Sequence, residues 1–402
     1  MTETIQTAGA AERPDGELTA ICALACVPGM GARTLARVTN TFGSPAGALR
    51  AGPRAILSKA AELRLQRRTR EFLAKFPDLE NLGDWAISAA RSAGARAIAL
   101  GCESYPELLQ RIDDPPPVLF VRGELLPSAR RVALVGARAA DEPALRLSRQ
   151  LAEELAAAGV QVVSGGARGV DAEAHAGALW GRGRTVAVLG SGIDVAYPPE
   201  NAALFERIAA AGGALVTELP PGTPASRPNF PRRNRTIAGL SHATVVVRAT
   251  AASGALITAR HAAAVGRPIF AVPGAAGDPL VAGPRDLLAT GAAAAVSSAE
   301  EIMELLGWSP RGAQAARKDA APPSRPPAAS TPAAAPIGQP LEGPALRVWE
   351  VLDEGRALQV DALAGRAQLR VQEALRGLTE LELKGLIHQK PGKVFVRRPS
   401  FS

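Results

Sequence analysis

The chain has 402 residues, 47% of them hydrophobic, enough for one large core and one or two satellites, since a domain usually takes about 100–200 residues. Its 46 Lys and Arg against 38 Asp and Glu leave a formal charge of +8, which favours a polyanionic partner over an acidic one, although an ordinary solvated basic surface carries the same balance. Three cysteines, Cys22, Cys26 and Cys102, exclude a disulfide framework and an all-thiolate zinc site. With no basic-then-apolar leader pattern and no run of about 18 apolar residues, the expectation is a soluble, cytoplasmic protein without membrane contact.

Residues 1–17 are expected to be disordered and residues 18–100 to form a small helical domain. Within it, residues 18–49 predict two short helices separated by Pro28-Gly29-Met30-Gly31, with a further break at Gly43-Ser44-Pro45. That pattern fits a helix-hairpin-helix, whose hairpin offers backbone N–H groups to a phosphate; a plain helical packing domain with a tight turn fits equally well. From 101 to 308 the texture changes. RVALVG, GVQVVSGG, RTVAVLGSG, GALVTE, ATVVVRA and RPIFAVPG are nearly continuous apolar runs, each followed by a helical pattern. Strands buried on both faces read this way, so the class is α/β, a Rossmann-like, doubly wound, mainly parallel sheet. Residues 309–343 are rich in Ala, Pro and Ser and predict an extended linker. Residues 344–402 read as three helices and a strand pair, a winged helix with Lys390-Pro391-Gly392-Lys393 as the wing turn. Its third helix sets Glu373, Glu380 and Glu382 against Arg370 and Arg376, so both a nucleic-acid reader and a protein-interaction module stay open.

A glycine-ended parallel sheet invites a nucleotide cofactor, yet no phosphate-binding G-x-x-x-x-G-K-[ST] loop is present, and Gly190-Ser191-Gly192 lacks the rest of a dinucleotide fingerprint. No cofactor is expected. The prominent turn is Ser164-Gly165-Gly166-Ala167-Arg168-Gly169-Val170-Asp171, which follows a strand and opens a helix. Exposed amides there make an anion site, while close strand–helix packing with Asp171 as a cap is the alternative. Asp171 and His175 lie four apart on that helix. They could be cast as an acid–base pair beside Ser164, but the four histidines, at 175, 242, 261 and 388, have no ligand cluster around them. A structural hydrogen bond between Asp171 and His175, fixing the glycine loop, is the expected role. The most informative stretch is Arg227-Pro228-Asn229-Phe230-Pro231-Arg232-Arg233-Asn234-Arg235, read as a loop in which guanidinium groups take phosphates and the ring takes a base. Phe230 as a core residue is the competing reading.

Taken in order, VALVGAR, VVSGGARGVDAEAHAGAL, TVAVLGSGIDVAYPPEN, NFPRRNRTIAGLS, SGALITARHA and FAVPG resemble the DNA-processing protein A (DprA/Smf) family over residues 105–306. The resemblance implies a protein that binds and protects incoming single-stranded DNA and loads a RecA-type recombinase onto it during natural transformation. It also implies a homodimer, an N-terminal helix-hairpin-helix or SAM-like domain, a C-terminal winged helix, and no catalytic residue. The DNA site it implies comprises Gly136 and Arg138 after the first parallel strand; Ser164, Gly165, Gly166, Arg168 and Gly169 in the glycine loop; and Phe230, Arg232, Arg233, Asn234 and Arg235. Asp171 and His175 are supports. Arg248 and Ala255 depart from the family's usual acidic residue and serine. A small-molecule nucleotide hydrolase of the lysine-decarboxylase-like type is the alternative, though its PGGxGTxxE-type motif is absent. A duplex-reading transcription regulator is a third.

Overall fold

A computed structural model of the chain describes residues 15–275, 277–308, 343–352 and, with gaps, 358–397. Residues 1–14, most of the expected linker (309–342), Arg376, Glu380 and Glu382 of the third helix and the wing residues 391–393 lie outside the described residues. The chain divides into two units, with the division between Ala320 and Ala321.

The first unit opens with α1 (Asp15–Cys26), α2 (Ala32–Phe42), α3 (Pro45–Ser58), α4 (Arg67–Lys75) and α5 (Leu79–Ser92). The expected hairpin separates α1 from α2. At the second break, Ser44 Oγ accepts from Gly47 N at 2.8 Å and Pro45 opens α3, an N-cap that satisfies one orphan amide. Next come β1 (Ala95–Ala99), α6 (Glu107–Gln110) and β2 (Val118–Gly123). β1 falls within the stretch read as helical. It pairs antiparallel with β2, and their residues Ala99, Val118 and Phe120 share one core with Leu24, Val27 and Ile56 of the helices. The helical region and the sheet edge therefore bury each other's apolar faces.

The sheet continues as β3 (Arg131–Val135), α7 (Glu142–Ala157), β4 (Gln161–Ser164), α8 (Val170–Trp180), β5 (Thr185–Val188), α9 (Ala202–Ala210), β6 (Ala214–Thr217), α10 (Asn229–Leu240), β7 (Ala243–Val246), α11 (Ala255–Ala264) and β8 (Ile269–Ala271). It closes with α12 (Ala282–Ala289), β9 (Ala294–Ala295) and α13 (Ala299–Leu305). The order is β1-β2-β6-β5-β4-β3-β7-β8-β9, parallel from β6 to β9, with β2 antiparallel to β6. The six expected strands are all present, and every residue of β3 to β8 is buried. Alternation splits each strand between two cores. Val132 and Leu134 pack with Leu151 and Leu155 of α7, while Ala133 and Val135 pack with Ile237 of α10 and Ala259 of α11. From β3 the chain adds β4, β5 and β6 on one side and then crosses to add β7, β8 and β9 on the other. The crevice between the carboxyl ends of β3 and β7 is the switch point where such sheets bind ligands.

The second unit holds α14 (Gly343–Val351), β10 (Leu358–Gln359), α15 (Val360–Arg366), further helical residues between 371 and 381, β11 (Ile387–Lys390) and β12 (Val394–Arg397). Its sheet runs β10-β12-β11, so a short third strand joins the expected pair. Val348, Leu363, Leu378, Ile387 and Phe395 form its core.

Candidate nucleic-acid interface

A cleft of about 580 Å³ opens at the switch point. Its walls are Gly136 and Arg138 after β3, Ala167 of the glycine loop, Asp171 in the first turn of α8, the start of α10, and Ser253, Gly254, Ala255, Ile257 and Thr258 around the start of α11.

The glycine loop is shaped from within. Gly169 takes φ +72°, and a Cβ there would stand 2.4 Å from the carbonyl oxygen of Ala137, so only glycine fits. The Asp171 carboxylate accepts from Gly165 N at 3.1 Å and Ala167 N at 3.4 Å, and Ser164 Oγ donates to Leu134 O at 2.6 Å. Two amides expected to face an external anion thus face an internal one. Burial raises the pKa of Asp171, while the Arg233 charge and the loop hydrogen bonds pull it back down.

The expected bond between Asp171 and His175 is absent, because Asp171 is taken by the loop amides and His175 by Thr185 of β5. Thr185 Oγ1 donates to Val162 O at 2.7 Å and so must accept from His175 Nδ1 at 2.8 Å. That fixes the tautomer and leaves the buried Nε2 as an unpartnered acceptor. Burial, aided by the Arg233 charge, pushes the ring down to about 3, so it is neutral at physiological pH. Asp171 and His175 are supports, each acting separately.

The basic stretch is not a loop. Asn229 to Arg235 form the first turns of α10, with Pro228 at the N-cap and Pro231 in the first turn, where a missing N–H costs nothing. Helical spacing then sorts the arginines. Arg233 is buried, and its Nη1 donates to Gly165 O and Val188 O, tying α10 to the ends of β4 and β5. Desolvation lowers its pKa to about 10, partly offset by Asp171. It clamps the fold and is not free for a phosphate as expected. Asn234 Nδ2 donates to Gly254 O at 3.1 Å, joining α10 to α11. Arg235 pairs with Glu218 at 2.5 Å and Asp114 at 3.3 Å, and Arg232, half exposed, pairs with Glu218 at 3.3 Å. Arg168 is exposed and paired with Glu200.

Phe230 is half-buried in the cleft. The Arg138 guanidinium lies over its ring at 5.2 Å and the Tyr197 ring stands 5.5 Å away. Gly190 admits the ring, since a Cβ there would meet Phe230 Cδ1 at 2.7 Å. Tyr197 is 41% exposed and was not singled out from the sequence; an aromatic just before Pro198-Pro199, after a glycine-ended strand, was the available signal. Arg227 also lines the cleft. Among the described residues neither Arg138 nor Arg227 is in an ion pair, so both are open to an anion. Among those residues no group of His, Cys, Asp and Glu is placed to hold a metal, and no helix is long and apolar enough to cross a membrane.

Two family models match the chain: DNA recombination-mediator protein A over residues 96–307 and the DprA winged helix domain over residues 321–393. Protein Smf of Escherichia coli is 40% identical over 291 residues, 72% of this chain and 74% of that protein. Protein Smf of Synechocystis is 36% identical over 315 residues, 73% of this chain and 78% of that protein. The crystal structure of DNA processing protein A from Streptococcus pneumoniae superposes with a TM-score of 0.59 at 27% identity, covering 73% of this chain and 98% of that one.

Proposed function

This chain belongs to the DprA/Smf family of DNA-processing proteins, and on that premise we propose that its switch-point cleft binds single-stranded DNA. The protein then protects the strand and loads a RecA-type recombinase onto it during natural transformation, acting as a cytoplasmic homodimer. The observation that carries this reading is the grouping of Phe230, Tyr197, Arg138 and Arg227 in one cleft. Rings give every base a face to stack on, and unpaired guanidinium groups take phosphates without reading sequence. Of the other family positions, Gly136, Ser164, Gly165, Gly166 and Gly169 shape the wall, Arg233 and Asn234 line the cleft while holding α10 in place, and Arg168, Arg232 and Arg235 are paired with acids beside it.

A nucleotide hydrolase would need an acid or base reaching the cleft. Asp171 is committed to the loop amides and His175 is buried against Thr185, so that reading has less support. The test is fluorescence anisotropy with a labelled oligothymidylate, competed by unlabelled single strand, duplex of the same length and mononucleotide. Single strand should compete at far lower concentration than the other two. Equal competition by mononucleotide, or nucleotide turnover lost in Asp171→Asn, would overturn the proposal.

A further inference from the structure

α10 presents different residues on its two sides. Phe230 and Asn234, with Arg227 just before the helix, line the cleft. Arg232 and Arg235 point elsewhere, to the buried Glu218 carboxylate, and Arg235 also reaches Asp114. Asp114 is a junction. Its Oδ2 pairs with Arg235, while its Oδ1 lies against Gly31 of the N-terminal hairpin, 3.5 Å from where a Cβ would stand. The hairpin is braced from its far side by α4. Thr69 Oγ1 donates to Pro28 O at 2.8 Å, and Arg68 Nε lies 3.1 Å from a Cβ position on Gly29.

Around this hairpin, apart from Asp114, which Arg235 holds, basic residues predominate. Arg33, Arg64, Arg68, Arg70 and Lys75 are exposed, whereas the single acid of α4, Glu71, is taken by Arg67 at 2.6 Å. Arg68 and Phe72 lie four apart on α4, and Phe76 follows at the C-cap, where the backbone turns extended. The two rings stack at 4.9 Å with 6° between their planes, and Phe76 is 44% exposed. An exposed ring is a poor solvated face and a good platform for a nucleobase.

We propose that the Pro28–Gly31 hairpin and α4 form a second binding surface for the same single strand, which leaves the cleft past the half-exposed Arg232, crosses the Arg235–Asp114 pair and continues onto Arg33 and Arg68. This extends, and rests on, the reading of the cleft as a single-stranded DNA site. Arg33 and Arg68 take backbone phosphates, and Phe76 supports a base at the far end of the track. Continuity selects the occupant: the basic surface begins where the arginines of α10 leave off.

The test uses the full chain and oligothymidylates of about 4 and about 16 nucleotides, the span of single-strand site sizes. In the wild type the longer strand should bind more tightly. Arg68→Glu and Arg33→Glu should leave the short strand within about twofold of wild type and weaken the long one by about tenfold or more. The log–log salt slope for the long strand should flatten by about 0.7 for each phosphate that is no longer neutralised. Phe76→Ala should weaken the long strand with little change in slope. Arg146→Glu, which makes the same charge change on α7, should match wild type. Arg227→Ala, in the cleft, should weaken both lengths. If the hairpin variants bind the long strand as wild type does while Arg227→Ala still weakens both, the second surface is wrong and the cleft stands. If the hairpin variants weaken both lengths and Arg227→Ala weakens neither, the cleft reading fails, and the track as its continuation fails with it. Loss of duplex binding alone in the hairpin variants also overturns the proposal.

Discussion

Replacing Arg233 by Met removes a charge from the interior while keeping most of the volume of the side chain. Arg233 is 5% exposed, and its Nη1 serves the carbonyls of Gly165 and Val188 at the ends of β4 and β5. Without it both carbonyls lose a charged donor, and the buried Asp171 loses the positive charge that offsets its desolvation. Removing one partner of such a buried set costs about 3–5 kcal/mol. At roughly 2 °C per kcal/mol, the figure for large domains, Tm should fall by about 6–10 °C. Adding Asp171→Asn should recover part of the loss, because no unbalanced charge then stays inside. Thermal unfolding followed by circular dichroism reads all three proteins. An Arg233→Met variant as stable as wild type, but with a single-strand salt slope flattened by about 0.7, would refute the clamp and make Arg233 a phosphate ligand.

Phe230→Ala should cost about 1–3 kcal/mol of single-strand affinity with an unchanged salt slope, whereas Arg227→Ala should flatten that slope by about 0.7; titrations at several salt concentrations separate the two. Gly169→Ala forces a Cβ against the Ala137 and Arg138 carbonyl oxygens at positive φ and should destabilise the fold, read from urea unfolding, by well beyond the roughly 0.5 kcal/mol of an ordinary surface change. His175 titrates near 6.5 unfolded and about 3 folded. The unfolded chain therefore binds its proton first, and this contribution is lost as pH falls from 6.5 towards 3, by about 1.4 kcal/mol per unit. His175→Gln should remove that slope, so the stability difference between wild type and variant should change by about 2 kcal/mol between pH 6.5 and about pH 5. Removal of residues 309–402 should leave a folded protein that still binds single-stranded DNA, and loss of most affinity in an anisotropy titration would count against the cleft.

The parallel strands were legible because β3 to β8 are buried on both faces and so are written as unbroken Val, Ala and Leu runs. β1 was not. ARAIA carries Arg96 as its second residue and starts only two residues after α5, and only its pairing with β2 makes it a strand. In the site, composition picked out Phe230 and its arginines but treated the arginines as equivalent. Pro228 and Pro231 argued for a loop, and once the segment is a helix, spacing alone sends Arg232 and Arg235 to one side and Arg233 inward. Asp171 and His175 have the spacing of a bonded pair. Their partners lie elsewhere: the amides of the glycine loop itself curl back onto Asp171, and Thr185 of β5 reaches His175, a contact that no local pattern contains.

The most direct measurement is photocrosslinking of an iodouracil-substituted single strand to the full chain, with the adducts located by mass spectrometry of the digested protein. The cleft predicts adducts at Phe230 and Tyr197, the two rings that share it 5.5 Å apart, and their loss when excess unlabelled single strand is present. Adducts confined to residues 343–402, with none at Phe230 or Tyr197, would contradict the cleft as the place where the strand binds.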